Sequence, residues 1–217
     1  MQFHLCFLNK VSFLIDGFNL YHSIIQLEED TGLSLKWLDL RSLFNSYIYL
    51  FGRDAEISSV YYFSAMSYFK QNTDKDTIYR QQTYHKALKN SSVKIILGRF
   101  KKKYVFCPNC KSTFIRREEK ETDVAIASKL FELCINDSAS SIILVTGDTD
   151  LISAYKTTQK LFPHKKMLFI FPYKRKNKEL LKTAPDSFSI NKKQYLKYQF
   201  PEIIHTASEV IPRPETW

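Results

Sequence analysis

Residues 141–151 read S-I-I-L-V-T-G-D-T-D-L. Ile142 to Val145 are four consecutive apolar residues, three of them β-branched, and they stop abruptly at Thr146-Gly147, which predicts a buried strand ending in a tight turn. Two carboxylates follow at once, Asp148 and Asp150 bracketing Thr149. The apolar spacing of Leu151, Tyr155, Thr158 and Phe162 then predicts a helix over 149–162. A strand, a glycine turn and a helix start put both carboxylates at the C-terminal edge of a sheet, where open α/β folds bind ligands.

Outward from that stretch, the chain repeats its layout. Val11 to Asp16, V-S-F-L-I-D, is a second apolar strand ending in a carboxylate, followed by Gly17-Phe18-Asn19 and a helical segment from Leu20 to Glu29. Helices are expected over 37–51, from the spacing of Leu38, Leu40, Leu43, Phe44, Tyr47 and Leu50, and over 73–90 and 122–135. Strands are expected at 57–66, 93–98 and 166–171. A short helix to Lys182, a short strand at 187–190 and an irregular tail complete the reading. Strands alternating with helices predict an α/β fold with a mostly parallel sheet covered on both faces, in one domain over residues 1–217. Residues 99–119 break the alternation. Two β-prone runs, 103–106 and 113–117, flank Cys107-Pro108-Asn109-Cys110 and predict an inserted basic β-hairpin.

The charge balance narrows the function. Lys and Arg total 32 against 22 Asp and Glu, a net charge of +10. The excess falls in two blocks, 98–120 and 160–197, and clustering of this kind favours a polyanion over a merely soluble surface. The candidate phosphate contacts are Lys101, Lys102, Lys103, Arg116, Arg117 and Lys120 in the first block, and Lys174, Arg175, Lys176 and Lys178 in the second. Four cysteines, Cys6, Cys107, Cys110 and Cys134, are too few and too scattered for a disulfide scaffold, and a reducing cytoplasm is the expected compartment. No apolar run approaches the roughly 18 residues of a membrane span, so no membrane partner is expected. Residues 1–10 lack a basic segment and a small-residue cleavage site, so they are not read as a signal peptide. They are either an added edge strand or an overlong start.

Asp16 and Asp148 each follow a buried strand, so in a parallel sheet both lie on one edge, within reach of one cation if the strands are neighbours. Asp123 heads a stripe with Ala127, Leu130 and Cys134 at helical spacing, so it points at the sheet. Taken alone, Asp123 and Asp150 also read as helix-terminal carboxylates, with Thr122 and Thr149 as caps. Together, four carboxylates aimed at one edge repel one another unless cations neutralise them. An all-oxygen donor set suits Mg²⁺ or Mn²⁺, and beside basic patches it implies hydrolysis of a phosphodiester. The five His are scattered, and His22, His85 and His164 read as exposed helix or turn residues rather than ligands. A phosphatase reading of D-T-D wants its nucleophile directly at the strand end, and a Toprim reading wants Glu where Asp16 stands.

The segments F-L-I-D-G-F-N-L-Y (13–21), Y-R-Q-Q-T-Y-H-K-A-L (79–88), E-K-E-T-D-V-A-I-A (119–127) and V-T-G-D-T-D-L (145–151), with L-F-P-H-K-K (161–166), K-E-L (178–180) and Q-F-P-E (199–202), resemble the NYN-domain family of PIN-like nucleases, in its bacterial LabA-like branch. That resemblance implies a three-layer α/β/α PIN-like fold and a divalent-metal-dependent endoribonuclease. It also implies catalytic roles for Asp16, Asn19, Asp123, Asp148 and Asp150, the four Asp as metal ligands and Asn19 as an orienting group. The chain departs from the pattern twice. Ser128 and Lys129 stand where many relatives carry a further acid, and Glu121 stands where a glycine is usual. Because family members with degenerate sites exist, the alternative is a non-catalytic RNA-binding or regulatory module. Cys107-x-x-Cys110 is half of a zinc knuckle. It is read as a Zn²⁺ site completed by a second chain, which implies a homodimer through the hairpin, as a redox-labile pair, or as a plain turn.

Overall fold

The fold was analysed in a computed structural model, which describes residues 9–70, 73–215 and 217. The expectation for residues 1–10 lies outside the described residues up to position 8.

The two quoted stretches become adjacent strands. β1 (Asn9–Asp16) and β5 (Ser141–Val145) pair in parallel with Ile15 opposite Val145. On the other side of β1 lies β2 (Ala55–Ala65), then β3 (Val93–Phe106) and β4 (Thr113–Lys120); beyond β5 lie β6 (Lys166–Phe171) and β7 (Phe188–Ser189). The sheet order is β4-β3-β2-β1-β5-β6-β7, parallel throughout except for the antiparallel β3–β4 pair. β1 and β5 thus sit at the middle of a predominantly parallel sheet.

Alternation along the strands divides the apolar side chains between two faces. Phe13 and Ile15 of β1, with Ile143 and Val145 of β5, pack against α1 (Gly17–Thr31), α2 (Leu40–Asn45), α3 (Lys75–Asn90) and α7 (Lys192–Lys197). Leu14 of β1 with Ile142 and Leu144 of β5 pack on the opposite face against α4 (Thr122–Ile135), α5 (Ile152–Leu161) and α6 (Lys178–Thr183). Three layers result, as expected. Phe13, fully buried and stacked on Phe44 at 4.9 Å, is typical of the first core.

Several boundaries differ from the expectations, each for a local reason. The segment 37–51 is not one helix. α2 ends at Asn45, where the Ser46 hydroxyl turns back to the Leu43 carbonyl, and a 3₁₀ turn follows over Ile48–Phe51. The expected hairpin is present, but its first arm is continuous with the strand read at 93–98. β3 runs on through the basic block to Phe106, and its ladder with β4 spans Arg99↔Lys120 to Phe106↔Thr113. Neither Thr122 nor Thr149 is a cap. Glu121, in a left-handed conformation, precedes α4, and the Asp148 carboxylate accepts from Asp150 N–H. Nor is the tail irregular. Phe200 N–H donates to the Trp37 carbonyl at 2.8 Å, Trp37 Nε1 donates to the Pro201 carbonyl at 2.8 Å, and β8 (Ile203–His205) pairs with β9 (Val210–Pro212). Among the described residues no helix is long and apolar enough to cross a membrane.

Candidate active site

The site lies where β1 and β5 end side by side. Asp16, the last residue of β1, is 5% exposed, and both its oxygens are engaged: Oδ1 accepts from Asn19 N–H at 3.0 Å and Oδ2 from the Thr146 hydroxyl at 2.9 Å. Thr146 Oγ1 in turn accepts from Asp148 N–H at 3.1 Å, and Asn19 Oδ1 accepts from Gly147 N–H at 3.0 Å. The D-G-F-N and T-G-D turns therefore brace each other across the strand pair. Gly147 has no alternative, since a Cβ there would collide with the Arg175 carbonyl. The basic turn after β6 crosses directly over it, which brings Arg175 to the cleft.

Asp123 arrives from the other direction. β4 passes close over Gly98, where a Cβ would sit 2.8 Å from the Lys120 carbonyl, and the left-handed turn at Glu121 (φ 81°) reverses the chain into α4. Asp123, in the first turn of α4, then faces the β5 edge. One carboxylate oxygen from each of Asp123, Asp148 and Asp150 lies within 4.8 Å of the others. Asp16 and Asn19 line the same cleft, about 690 Å³, but Asp16 is outside that compact triad.

The carboxylates feel one another. Burial raises the Asp123 carboxyl to about 6, with the charges of Asp148, Asp16 and Asp150 adding to the rise. Burial likewise pushes Asp16 up, against the hydrogen bonds from Asn19 and Thr146 and with the Asp148 charge. Asp16 and Asp123, raised in proton affinity, and the hard oxygen donors of Asp148 and Asp150 crowded beside them fit a divalent cation such as Mg²⁺ or Mn²⁺.

Two acids in the cleft lie outside the expected set, Glu121 at the turn and Glu119 before it. Glu119, near the end of β4, lines it, accepts a hydrogen bond from the Thr122 hydroxyl, and is raised to about 7 by burial together with the charges of Asp16 and Asp123. It falls in the quoted E-K-E-T-D segment. Only the fold-back at Glu121 brings it to the carboxylates, so strand or helix periodicity carries no trace of it.

Of the candidate phosphate contacts, Lys120 and Arg175 line the cleft. Lys101, Lys102 and Arg116 are exposed along the hairpin arms, and Lys176 and Lys178 are exposed near Arg175. Several, Lys120 among them, are already engaged. Lys103 and Lys120 pair with Glu118 at 2.9 and 3.2 Å, Lys174 pairs with Asp30 at 2.6 Å, and the Arg117 guanidinium lies 4.5 Å over the Phe69 ring. Cys107 and Cys110 sit at the hairpin tip, Cys110 Sγ 2.8 Å from the Ser112 hydroxyl, and no third His, Cys, Asp or Glu joins them in a ligand group among the described residues.

Comparison with known proteins follows the same lines. A family model described as NYN domain matches residues 10–191. The 6-hydroxy-3-succinoylpyridine 3-monooxygenase HspA of Pseudomonas putida is similar at 25% identity over 236 residues, covering 94% of this chain and 73% of that protein. The crystal structure of a protein of unknown function from Vibrio parahaemolyticus superposes with a TM-score of 0.54 at 20% identity, covering 84% of this chain and 93% of that one. This last likeness is one of fold.

Proposed function

The chain belongs to the NYN domain family, and from that premise we propose that it is a divalent-metal-dependent endoribonuclease acting through the carboxylates at the β1–β5 edge. The observation that carries the reading is the convergence of Asp123, Asp148 and Asp150, from two separate chain segments, to within 4.8 Å beside basic side chains. In this reading these three hold the metal. Asp16, fixed by Asn19 and Thr146, serves as a further ligand or orients one, and Asn19 positions the turn that carries Asp148. A bound Mg²⁺ or Mn²⁺ supplies charge neutralisation and a water of lowered pKa for in-line attack on the phosphodiester. Lys120 and Arg175 hold the scissile phosphate. The hairpin and Lys176 and Lys178 track the flanking backbone, giving salt-dependent affinity with little base information. Tyr104 and Phe106, 70% and 60% exposed on the same hairpin, add surfaces on which unpaired bases stack.

The pyridine-ring oxygenation named for the Pseudomonas protein is not carried over. Iron oxygenase sites of the facial-triad type take two imidazoles and one carboxylate, whereas this cleft is lined by several carboxylates and, among the described residues, by His22 alone of the histidines.

The test is cleavage of end-labelled single-stranded RNA and matched DNA with Mg²⁺ or Mn²⁺ against EDTA, alongside Asp148→Asn. Metal-dependent cutting of RNA that the variant loses supports the reading. A wild type that binds RNA and cuts it with neither metal overturns it in favour of a regulatory RNA-binding module.

A further inference from the structure

Next to the acidic cleft lies a second cavity, of about 310 Å³, and the two share Phe18 and His22 in their walls. This size is at the small end of ligand pockets, about 300 Å³, enough for one planar ring system with little around it. Its walls are built from aromatic rings in two groups. One is Phe18, Phe100 and Phe69, with centroids 5.5 and 5.1 Å apart; the other is Tyr62, Tyr84 and Trp217, with centroids 6.2 and 5.5 Å apart. The basic hairpin closes one side, since Phe100 belongs to β3 and Arg117 of β4 caps the Phe69 ring.

The charged groups in the wall are paired, Lys36 with Glu28 at 2.6 Å and Lys70 and Arg80 with Asp74 at 3.9 and 3.8 Å, and the neutral polar groups are held in place. Gln81 is pinned by Ser67, whose N–H donates to Gln81 Oε1 at 2.9 Å. His85 lines the cavity with its ring 6.1 Å from Tyr62 and no hydrogen-bond partner among the described residues. It is half-buried rather than exposed as its sequence position suggested. Burial, with the Lys89 charge, pushes it down to about 4, so at neutral pH it is an uncharged imidazole with one donor and one acceptor. Neutral stacking surfaces and a neutral donor–acceptor group suit the edge and faces of a nucleobase. A phosphate wants cations, and the three in this wall, Lys36, Lys70 and Arg80, already face Glu28 and Asp74, whereas Arg175 stands in the neighbouring cleft.

We propose that this cavity is a nucleobase-binding subsite, which receives the base adjacent to the phosphate held at the carboxylates. It rests on the nuclease reading for the identity of that phosphate, but base binding is measurable without cleavage. The walls shared at Phe18 and His22 set the cavity directly beside the acidic cleft. A site that grips one base while the metal centre grips the backbone would give the enzyme a preference at a single position.

The experiment follows the fluorescence of Trp217, in the cavity wall, on titration with adenosine 5′-monophosphate and with ribose 5-phosphate, in EDTA, for wild type, Phe100→Ala, Phe100→Tyr, His85→Ala and Asp148→Asn. A Trp217→Phe control identifies the reporting indole. The expected result is a saturable change with the nucleotide, at least about fivefold weaker binding of ribose 5-phosphate and a comparable loss in Phe100→Ala, since stacking one base accounts for that much. Phe100→Tyr restores the affinity, His85→Ala weakens it, and Asp148→Asn keeps it while losing cleavage. If nucleotide binds in this way but RNA is never cut, the nuclease reading fails and the subsite stands. The subsite is overturned while the nuclease reading stands if RNA is cut but ribose 5-phosphate binds as well as the nucleotide, or if Phe100→Ala binds like wild type. It is also overturned if a free heteroaromatic acid binds the cavity and RNA does not compete, since the cavity would then serve a small molecule.

Discussion

Thr146 donates its hydroxyl proton to Asp16, 130 residues earlier in the chain, at 2.9 Å, and the same oxygen accepts from the N–H of Asp148 at 3.1 Å. A single buried side chain therefore fixes the relative position of two carboxylate residues, one at the end of β1 and one in the turn after β5. Thr146→Val keeps the shape and removes both hydrogen bonds. The buried Asp16 Oδ2 then loses its donor while Oδ1 keeps the Asn19 N–H, which costs about 1–3 kcal/mol. Urea denaturation is expected to show that loss, Thr146→Ser to recover most of it, and cleavage by Thr146→Val to fall at least about tenfold. Full stability in Thr146→Val would show that water replaces the hydroxyl and that the brace is not structural.

Asp123 gives a prediction whose sign is unusual for a carboxylate. Its folded-state pKa, about 6, lies above the ordinary 3.8. The folded protein therefore holds a proton there that the unfolded chain has released, and stability falls as pH rises from about 4 to about 6 in the absence of metal. Asp123→Asn removes that dependence and should match or exceed the wild-type melting temperature at pH 7 in EDTA. Adding Mn²⁺ should stabilise the wild type and not the variant, because only a state that binds the ion gains from it. A variant that melts lower in EDTA and is still stabilised by Mn²⁺ would place Asp123 outside the site.

Glu119 extends the argument to rate. Metal at the cluster would compete with the proton on Asp123, near 6, and its charge would also disfavour the proton on Glu119, near 7, in the same cleft, so the acid limb of Mn²⁺-dependent cleavage is expected between about pH 6 and 7. Glu119→Gln takes one of those protons out of the competition and moves the limb to lower pH, whatever it does to the maximal rate. A limb that stays in place would remove Glu119 from the functional set.

How far these groups were legible in the sequence follows from how each is held. β5 and α4 could be read closely, the helix over 122–135 as expected, because a buried strand and an amphipathic helix carry their own periodicity. Asp16 and Asp148 were placed together because a parallel sheet puts strand ends on one edge, and β1 and β5 proved to be neighbours. The continuation of β3 to Phe106 was not legible, because beyond Gly98 the strand leaves the covered part of the sheet and its burial pattern with it. Glu119 and the ring-lined cavity depend on contacts between β4, α3 and the residues after β9, which no local pattern encodes. The tail was misread because its order comes from Trp37, at the other end of the chain.

The departure at Glu121 is a test of backbone strain. Glu121 sits at φ 81°, a conformation that glycine adopts without penalty and a residue with a Cβ adopts at a cost of about 1 kcal/mol. Its side chain recovers part of that through an exposed pair with Arg99 at 2.5 Å, worth at most about 1 kcal/mol. Glu121→Gly should therefore leave stability equal or raise it by up to about 1 kcal/mol in urea denaturation. Glu121→Ala, which keeps the strain and loses the pair, should lower it. Glu121→Gly falling below Glu121→Ala would show that the turn is set by something other than its φ.

The hairpin tip offers a chemical test of the cysteine pair. The Cys110 thiol is pulled down to about 7, chiefly by hydrogen bonding to Ser112 and then to Cys107, and it is exposed, whereas Cys134 is buried on α4 and pushed up. Thiolate character and access both favour the tip, so iodoacetamide at pH 7.5 should label Cys110 at least about tenfold faster than Cys134. Zinc binding between two chains would make that reactivity depend on the metal. Equimolar Zn²⁺ should then protect Cys107 and Cys110 together and produce a dimer in sedimentation that Cys110→Ser cannot form. Labelling that ignores Zn²⁺ and a chain that stays monomeric would leave the pair as a reactive turn, its low pKa set by the hydrogen bonds of Ser112 and Cys107.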